Sequence, residues 1–449
     1  PEAIQIGDLV FLPKKKNFKL SVAESHSIHF GTIIKDNEIL DEVLVSIFRA
    51  PHSYSGEDSV EISCHGSSYI QQKIVEFLIS KGARLARPGE FTLRAFLNGK
   101  FDLSQAEAVA DLIAASSHNA HMLAMDQMRG GFSKKISDLR TRLLDFASLI
   151  ELELDFSQED VEFANRTELV RLLIEIKAEI THLASSFSYG NVLKTGIPVA
   201  IIGKPNVGKS TLLNAILNEE RAIVSEIPGT TRDTIEDTIV IHNYAFRFID
   251  TAGLRHSTDI IESEGIERTY EKIRQAKVVL YVFDVRDADS VEAWGIGGVE
   301  AWKRGSGDDL TADRRLPTAD QKKVILVANK ADLLEETPAH LKDLLEQQCI
   351  FISAKRKENI NLILERLVDV VKEMHIQDTA VVSNVRHYEA LNGALKSIDE
   401  VLEGLSTHLS SDLVTIDLRT ALYYLGEITG EITTDDILGN IFGRFCIGK

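Results

Sequence analysis

The spacing of apolar residues predicts segments of different kinds along the chain. Residues 1 to about 100 mix short alternating runs such as Ser59–Ser63, which favour β-strands, with one helix near Tyr69–Ser80. From Ser104 to about Leu193, apolar residues recur at spacings of three and four with few Gly or Pro breaks, a pattern typical of helices. Helices are predicted again from Ser383 to the C-terminal end of the sequence.

Residues 195–375 have a different pattern, in which short apolar runs predict strands of an α/β sheet. These runs are Ile197–Ile202, Tyr244–Ile249, Val324–Ala328 and Ile350–Ile352. The simplest topology has this α/β domain inserted into a helical domain built from residues 101–194 and 376–449, with an α+β domain over residues 1–100 before it. Within the α/β domain, Gly295–Gln321 is polar and Gly-rich, which is typical of a surface insertion.

The loop Gly203-Lys-Pro-Asn-Val-Gly-Lys-Ser210 matches G-x-x-x-x-G-K-S and is followed by the helical run Thr211–Leu217. Strand, glycine loop and helix form the context of a phosphate-binding P-loop, in which backbone N–H groups and a helix N-terminus face an anion. Lys209 is predicted to reach the β- and γ-phosphates, and the Ser210 hydroxyl to hold Mg²⁺. A glycine-rich turn that binds nothing does not account for the match in this context. The nucleotide contacts predicted in this segment are Asn206, Val207, Gly208, Lys209, Ser210 and Thr211.

A second motif predicts which base is bound. Asn329-Lys330-Ala-Asp332 follows an apolar run, so it is expected at the carboxyl edge of the sheet, where nucleotide sites gather. Asp332 can accept from the N1–H and the exocyclic amine of guanine, a donor pair that adenine lacks. Ser353-Ala354-Lys355 is predicted to contact the base through its backbone. The nucleotide is therefore predicted to be GTP.

Two further segments are predicted to serve hydrolysis. In Asp250-Thr251-Ala252-Gly253, the carboxylate is expected to orient Mg²⁺ and the Gly253 N–H to bind the γ-phosphate. Switch I is assigned to Gly229–Asp233, with Thr231 as a second hydroxyl on Mg²⁺. Leu254 stands where Ras-like proteins have a water-orienting glutamine, and an apolar side chain cannot hold a water.

Two roles in hydrolysis have no single predicted residue: holding the attacking water and stabilising the charge on the γ-phosphate. The carboxylates that follow Leu254 are equal candidates for holding the water, against the alternative that all are solvated: Asp259, Glu262, Glu264 and Glu267. For charge stabilisation, Arg232 and Arg255 are near in sequence, but spacing does not place either at the γ-phosphate. A monovalent cation held by Asn206 and the segment Ser225–Thr230 is also compatible with the chemistry.

Composition indicates the compartment in which the protein works and how it binds RNA. The chain has 449 residues, 44% hydrophobic, and a net charge of −18, so RNA is expected to bind a local patch or a partner protein. No apolar run reaches the length of a membrane span, and no secretory signal is visible. Cys64, Cys349 and Cys446 lack C-x-x-C spacing, which indicates a reducing cytosol without structural zinc. The sequence opens at Pro1 without methionine, and we expect the N-terminal domain to be incomplete there.

These motifs and both flanks resemble the tRNA-modifying GTPase family MnmE (TrmE). The flanking matches are Arg87-Pro-Gly-Glu-Phe-Thr-Leu-Arg-Ala-Phe-Leu-Asn-Gly-Lys-Phe-Asp-Leu-Ser-Gln-Ala-Glu-Ala-Val and the ending Phe445-Cys-Ile-Gly-Lys449. The resemblance implies a homodimer whose GTPase is stimulated by K⁺, with Glu262 as the water-activating carboxylate. The K⁺ contacts that it implies are Asn206, Ser225, Ile227 and Thr230.

The resemblance also implies a folate-binding-like N-terminal domain that holds a tetrahydrofolate derivative, in the 5-formyl or methylene form, as a one-carbon donor. Glu61, Lys100 and Lys449 match folate contacts, and Cys446 is either a functional thiol or a small buried cysteine. A flavin-dependent partner of the MnmG (GidA) type would share the modification of C5 in the wobble uridine and supply much of the tRNA surface. In the family, the first strand carries a basic folate contact, and that strand is not present before Pro1. Ser67 stands where relatives often have a second glycine.

Two other functions compete with the tRNA-modifying enzyme. A GTP-regulated ribosome-assembly factor usually carries an appended RNA module such as a KH domain, and no G-x-x-G loop amid basic residues occurs in the C-terminal tail. A GTP-switched scaffold without chemistry of its own is the third interpretation. Incorporation of a folate-derived carbon into tRNA with the partner present would separate the enzyme from the scaffold.

Overall fold

The structure is a computed structural model that describes residues 2–155, 166–218, 223–224, 237–249, 274–286, 323–334, 349–373, 381–407, 409–443 and 445. The chain divides into two compact units, each assembled from separate stretches of sequence. The first contains residues 1–113, 125–181 and 389–449, and the second contains residues 114–124 and 182–388. The domain limits expected from the sequence remain predictions.

The N-terminal part of the first unit is an antiparallel sheet with helices on one face. Within the described residues, four strands follow one another in the order β1-β2-β3-β4. Side chains on β3 alternate, so that Val43, Val45 and Ile47 are buried against α1 and α2 while Leu44 points outward. The elements are α1 Glu2–Val10, β1 Phe11–Pro13, β2 Ser27–Lys35, β3 Glu38–Phe48, β4 Ser59–Ser63 and α2 Ser68–Ser80.

The remainder of the first unit is helical and uses residues from both ends of the chain. Helix α6 (Gly131–Asp155) packs along α12 (Ser411–Thr429). The helices are α3 Glu90–Leu97, α4 Leu103–Ala114, α5 His118–Met128, α6 Gly131–Asp155, α7 Arg166–Ser185, α11 Val385–Ser406, α12 Ser411–Thr429 and α13 Asp435–Phe442, of which α4, α5, α7 and α11 continue into the second unit. At Gly89, a Cβ would lie 2.6 Å from the Phe442 carbonyl oxygen, so this glycine lets α13 approach the start of α3.

The second unit is built on a mixed sheet. Seven strands are described, in the order β11-β10-β9-β5-β8-β7-β6, and among them β7 alone runs antiparallel to the others. All six residues of β5 are buried, as expected for a parallel strand covered on both faces. The elements are α8 Phe187–Thr195, β5 Ile197–Ile202, α9 Lys209–Leu217, β6 Ile223–Val224, β7 Asp237–Ile241, β8 Tyr244–Phe248, β9 Val278–Asp284, β10 Lys323–Asn329, β11 Ile350–Phe351 and α10 Ile360–Glu373.

The expectation of one helix in the first hundred residues is wrong, because α1 and α3 are also helical. In α1 the buried positions are Ile4, Gly7 and Val10, three residues apart, and a nine-residue segment is too short for that period to dominate the sequence pattern. Within the helical pattern predicted from Ser104 to about Leu193, α7 ends at Ser185 and α8 begins at Phe187. The predicted fold class, an α/β nucleotide domain combined with helical and α+β parts, is confirmed.

Candidate guanine-nucleotide site

The phosphate-binding loop connects the buried strand β5 to α9, and its shape requires glycine at two positions. Gly203 has φ +149°, and a Cβ there would lie 2.0 Å from the Val282 carbonyl oxygen. Gly208 has φ +98°, and a Cβ there would lie 2.3 Å from Asn329 Nδ2. Larger residues therefore cannot occupy either position without moving the neighbouring backbone or Asn329, the first residue of the predicted guanine-binding loop Asn329–Asp332.

Lys209 lies inside this loop at the start of α9. Its Nζ donates to the carbonyl oxygens of Gly203 at 2.8 Å and Lys204 at 2.7 Å. Ser210 follows in the first turn and is half-buried, whereas Thr211 is exposed. An ammonium group and a hydroxyl at a helix N-terminus are the groups that phosphate oxygens and a hard cation require.

Asn329 joins three loops at the carboxyl edge of the sheet. The side chain is 2% exposed; Nδ2 donates to the Val207 carbonyl oxygen at 2.8 Å, and Oδ1 accepts from the Ala354 N–H at 3.0 Å. Val207 is in the phosphate-binding loop and is itself buried in the sheet core. The loop after β11 is thus tied to the phosphate-binding loop through one buried amide.

Asp332 has the electrostatic environment of an ionised acceptor. Its Oδ1 accepts from Ser353 Oγ at 2.7 Å, and Arg356 Nε lies 3.7 Å from Oδ2. The hydrogen bond from Ser353, together with the charges of Arg356 and Lys355, holds the pKa of Asp332 below its usual value. A carboxylate that stays ionised at neutral pH matches the two N–H donors on the Watson–Crick edge of guanine.

Lys330 connects the guanine-binding loop to the phosphate-binding loop. Its Nζ donates to the Asn206 carbonyl oxygen at 2.8 Å and lies 2.8 Å from Asp284 Oδ2. Asp284 is not among the residues predicted from sequence, although its position at the end of the apolar run Val278–Phe283 is the same signal that marks the other loops of this edge.

The structure brings together the sequence-predicted residues of the first two motifs and of the base-contact loop: Asn206, Val207, Gly208, Lys209, Ser210, Asn329, Lys330, Asp332, Ser353 and Ala354. Thr211 and Lys355 are exposed at the same edge. Other predicted residues lie outside the described residues: Ser225, Ile227, Thr230, Thr231, Asp250, Thr251, Ala252, Gly253, Glu262, Cys446 and Lys449. Their roles stay predictions.

The predicted folate contacts lie in the first unit. Glu61 is exposed on β4, in register with Ser46 of β3. Lys100 follows α3, and its Nζ donates to the Pro51 carbonyl oxygen at 2.9 Å. His65 is held by Asp41, whose Oδ1 lies 2.7 Å from the ring Nδ1 and whose Oδ2 accepts from the His65 N–H at 2.9 Å.

The described residues contain neither a metal cluster nor a membrane-spanning helix. Within the part of the chain that the structure describes, no cluster of three or more His, Cys, Asp or Glu side chains has the arrangement of a metal site. None of the described helices combines the length and apolarity that crossing a membrane requires.

Comparison with known proteins identifies the family. The family model described as "GTP-binding protein TrmE N-terminus" matches residues 1–100, and the one described as "MnmE helical domain" matches residues 103–446. The chain belongs to the MnmE (TrmE) family of tRNA modification GTPases. The family that the P-loop, the N-K-A-D motif and both flanks predicted is therefore confirmed, and so is the GTPase class.

Curated relatives are similar over the full length of the chain. The protein from Bacteroides fragilis described as "tRNA modification GTPase MnmE" is 52% identical, over 100% of this chain and 95% of its own length. Proteins of the same description from Bacteroides thetaiotaomicron and Flavobacterium johnsoniae are each 51% identical over 100% of this chain, and the matches cover 95% and 94% of their lengths. A solved G domain of the T. maritima FeoB iron transporter is 24% identical, covers 38% of this chain and 97% of that chain, and has a TM-score of 0.25, too low to support a conclusion.

Proposed function

We propose that the chain is a K⁺-stimulated GTPase that, with a flavin-dependent partner of the MnmG type, modifies C5 of the wobble uridine in certain tRNAs with a carbon from a tetrahydrofolate derivative. The observation that carries the GTPase part is the buried Asn329 amide, which ties the phosphate-binding loop to the loop that contacts the base. The full-length similarity to proteins described as tRNA modification GTPases supports the assignment of tRNA as the substrate.

The chain binds GTP with one group of residues for each part of the ligand. The loop Asn206–Thr211 surrounds the phosphates, and Lys209 exchanges its two carbonyl partners for the β- and γ-phosphate oxygens. The Asp332 carboxylate accepts from guanine N1–H and the exocyclic amine. Backbone groups of Ser353–Lys355 contact the base edge, and residues 250–253 complete the γ-phosphate contacts.

Ser210 and Thr231 are the proposed Mg²⁺ ligands. The half-buried Ser210 hydroxyl at the N-terminus of α9 fits this role, because Mg²⁺ prefers hard oxygen ligands beside phosphates. Mg²⁺ neutralises charge on the β- and γ-phosphates when it is bound. Thr231 completes the hydroxyl pair from the switch segment.

Asn206, Ser225, Ile227 and Thr230 are the proposed K⁺ contacts, the middle two through backbone oxygens. Asn206 fits this role through its side chain, which is exposed in the phosphate-binding loop, whereas its backbone carbonyl oxygen accepts a hydrogen bond from Lys330 Nζ. Glu262 orients the attacking water in the place of the glutamine that Leu254 replaces. Lys209 and the cation balance the charge that develops on the phosphates.

The N-terminal domain is proposed to hold the folate derivative in its 5-formyl or methylene form. Glu61 offers an exposed carboxylate to the pterin donors, and Lys100 offers an ammonium group whose described partner is one carbonyl oxygen. Lys449 and the Cys446 thiol follow Phe445, which is buried among residues of α3, α4 and α13.

The proposed setting is the cytoplasm, and the proposed assembly is a homodimer. With a net charge of −18, the chain is expected to contact tRNA mainly through its partner. Dimerisation of the GTPase domains is the step that K⁺ would promote.

The experiment that tests the proposal measures GTP turnover by the purified chain in KCl and in NaCl at matched ionic strength, with Glu262→Ala alongside. We expect K⁺ to stimulate turnover, and the variant to lose about 10²–10⁴-fold in rate while it still binds GTP, since a positioned base contributes that much. Equal slow turnover in both salts would remove the K⁺ site and favour a GTP-regulated assembly factor.

A further inference from the structure

A carboxylate without a role in the proposed function lies between the phosphate-binding and guanine-binding loops. Asp284 is the last residue of β9, which lies between β5 and β10 in the sheet, and it is in register with Asn329. Strand β5 leads into the phosphate-binding loop, and β10 leads into Asn329 and Lys330. Asp284 is therefore at the point where both loops leave the sheet.

Both oxygens of this carboxylate are held by donors. Oδ1 accepts from the backbone N–H and from Nε of Arg286, each at 3.0 Å. Oδ2 lies 2.8 Å from Arg286 Nη2 and 2.8 Å from Lys330 Nζ. The side chain is only 14% exposed, and the hydrogen bonds from Arg286 and Lys330 hold the pKa of Asp284 well below its usual range. Asp284 is thus an oriented acceptor that is ionised at neutral pH.

Lys330 transmits this orientation to the phosphate-binding loop. The same Nζ that contacts Asp284 donates to the Asn206 carbonyl oxygen at 2.8 Å. Lys330 has φ +68° and Asn206 has φ +61°, a left-handed conformation that is strained for lysine and that asparagine adopts more readily, so an outside contact helps to hold each backbone in place. The ammonium group is positioned to supply that contact to both residues at once.

We propose that Asp284 is a positioning residue for guanine-nucleotide binding, which holds the Lys330 ammonium against the Asn206 carbonyl oxygen and so fixes the guanine-binding loop to the phosphate-binding loop. The inference rests on the proposed assignment of Asn206 and Lys330 to the nucleotide site. Without the charge on Asp284, the Lys330 side chain regains rotamer freedom, and the two loops that hold the base and the phosphates separate more easily. Nucleotide then leaves faster, whereas the chemistry of bound GTP is retained.

The test compares Asp284→Asn with the unaltered chain in the release of a fluorescent GDP analogue and in steady-state GTP turnover. We expect release to be about tenfold faster and KM to rise by a similar factor, with kcat at saturating GTP changed less than about twofold. Asp284→Glu keeps the charge and is expected to recover part of the loss. The matched control is Glu373→Gln, which removes the charge that pairs with Lys323 at 3.2 Å, at the opposite end of β10, and with Arg366 at 2.9 Å, and it is expected to leave release unchanged.

A double-mutant cycle with Lys330→Met decides whether Asp284 acts through Lys330. In the Lys330→Met background, we expect Asp284→Asn to change release less than about twofold. An equal effect in both backgrounds, or a lower melting temperature with unchanged release, would overturn the inference. Unchanged release in Lys330→Met alone would overturn the assignment of Lys330 to the nucleotide site as well. Faster release in Lys330→Met without an effect of Asp284→Asn would remove only the role of Asp284.

Discussion

The carboxyl edge of the seven-stranded sheet and the N-terminal antiparallel sheet carry their predicted site residues in different ways. At the sheet edge, the central residue Asn329 is 2% exposed, and its amide contacts two other loops. In the N-terminal region, Glu61 on β4 is exposed, and Lys100, which follows α3, is also exposed and donates to the Pro51 carbonyl oxygen. When the backbone closes around a ligand, glycine and polar residues must occur at fixed spacings, and the sequence shows a motif. Exposed side chains that contact a ligand require no such spacing, so the sequence shows no motif.

The largest loss of GTP binding is expected at Gly203, where neighbouring backbone lies closest to an added side chain. Gly203→Ala would place a Cβ 2.0 Å from the Val282 carbonyl oxygen, at a φ of +149° that side chains rarely adopt. We expect GTP binding to weaken by roughly 100-fold, because the phosphate-binding loop can keep its binding conformation only with about 1–3 kcal/mol of backbone strain. Titration of a fluorescent GTP analogue measures the affinity, and thermal melting reports on the fold.

The matched control is Gly66→Ala in the first unit, where no atom lies within 4 Å of an added Cβ. This change is expected to alter the free energy of unfolding by less than about 0.5 kcal/mol and to leave GTP binding unaltered. Similar losses from Gly203→Ala and Gly66→Ala would contradict the contrast between the two regions.

The cysteines of the two units should also differ in their rates of alkylation. Burial raises the pKa of the Cys349 thiol to about 12, whereas Cys64 in the first unit is half-buried. Because the thiolate is the reactive form, we expect Cys349 to be alkylated on the order of 1,000-fold more slowly than an ordinary cysteine at pH 8, while the protein is folded. Peptide mapping by mass spectrometry after timed alkylation measures the two rates. Equal rates at Cys349 and Cys64 would show that the sheet core around Cys349 opens readily.

The smallest effect on folding is expected at the predicted folate contacts. Glu61→Gln removes an exposed charge, so the free energy of unfolding should change by less than about 0.5 kcal/mol. Binding of 5-formyltetrahydrofolate should weaken by about tenfold, because a carboxylate that accepts from the pterin is replaced by an amide. Isothermal titration measures the binding, with GTP affinity as the control. Unchanged folate affinity would remove Glu61 from the site.

Much of the nucleotide domain could be predicted from sequence for a physical reason. Strand β5 is buried on both faces, so Ile197–Ile202 is continuously apolar, and its bounds were predicted correctly. The loop after it needs Gly203 and Gly208 at fixed positions, which makes the motif specific. Helix α1 was missed because nine residues with three buried positions leave too weak a period.

Contacts between distant residues were less accessible to prediction. Neither the ion pair of Asp284 with Lys330 nor the hydrogen bond of Ser353 with Asp332 follows from local spacing, because each depends on the order of strands in the sheet. The order β11-β10-β9 brings these side chains together, and the sequence pattern does not give that order. Glu61 and Lys100 could be predicted as folate contacts only through resemblance to the family.

The most direct test of the guanine-nucleotide site is the base specificity of Asp332→Asn. Ser353 and Arg356 hold the Asp332 carboxylate as an acceptor, and an amide at this position presents a donor to the exocyclic amine of guanine. We predict that GTP affinity falls by about 100-fold or more, while xanthosine triphosphate, whose carbonyl replaces that amine, gains affinity. Competition of each nucleotide against a fluorescent GDP analogue gives both values. Unchanged preference for GTP in the variant would contradict the proposed site.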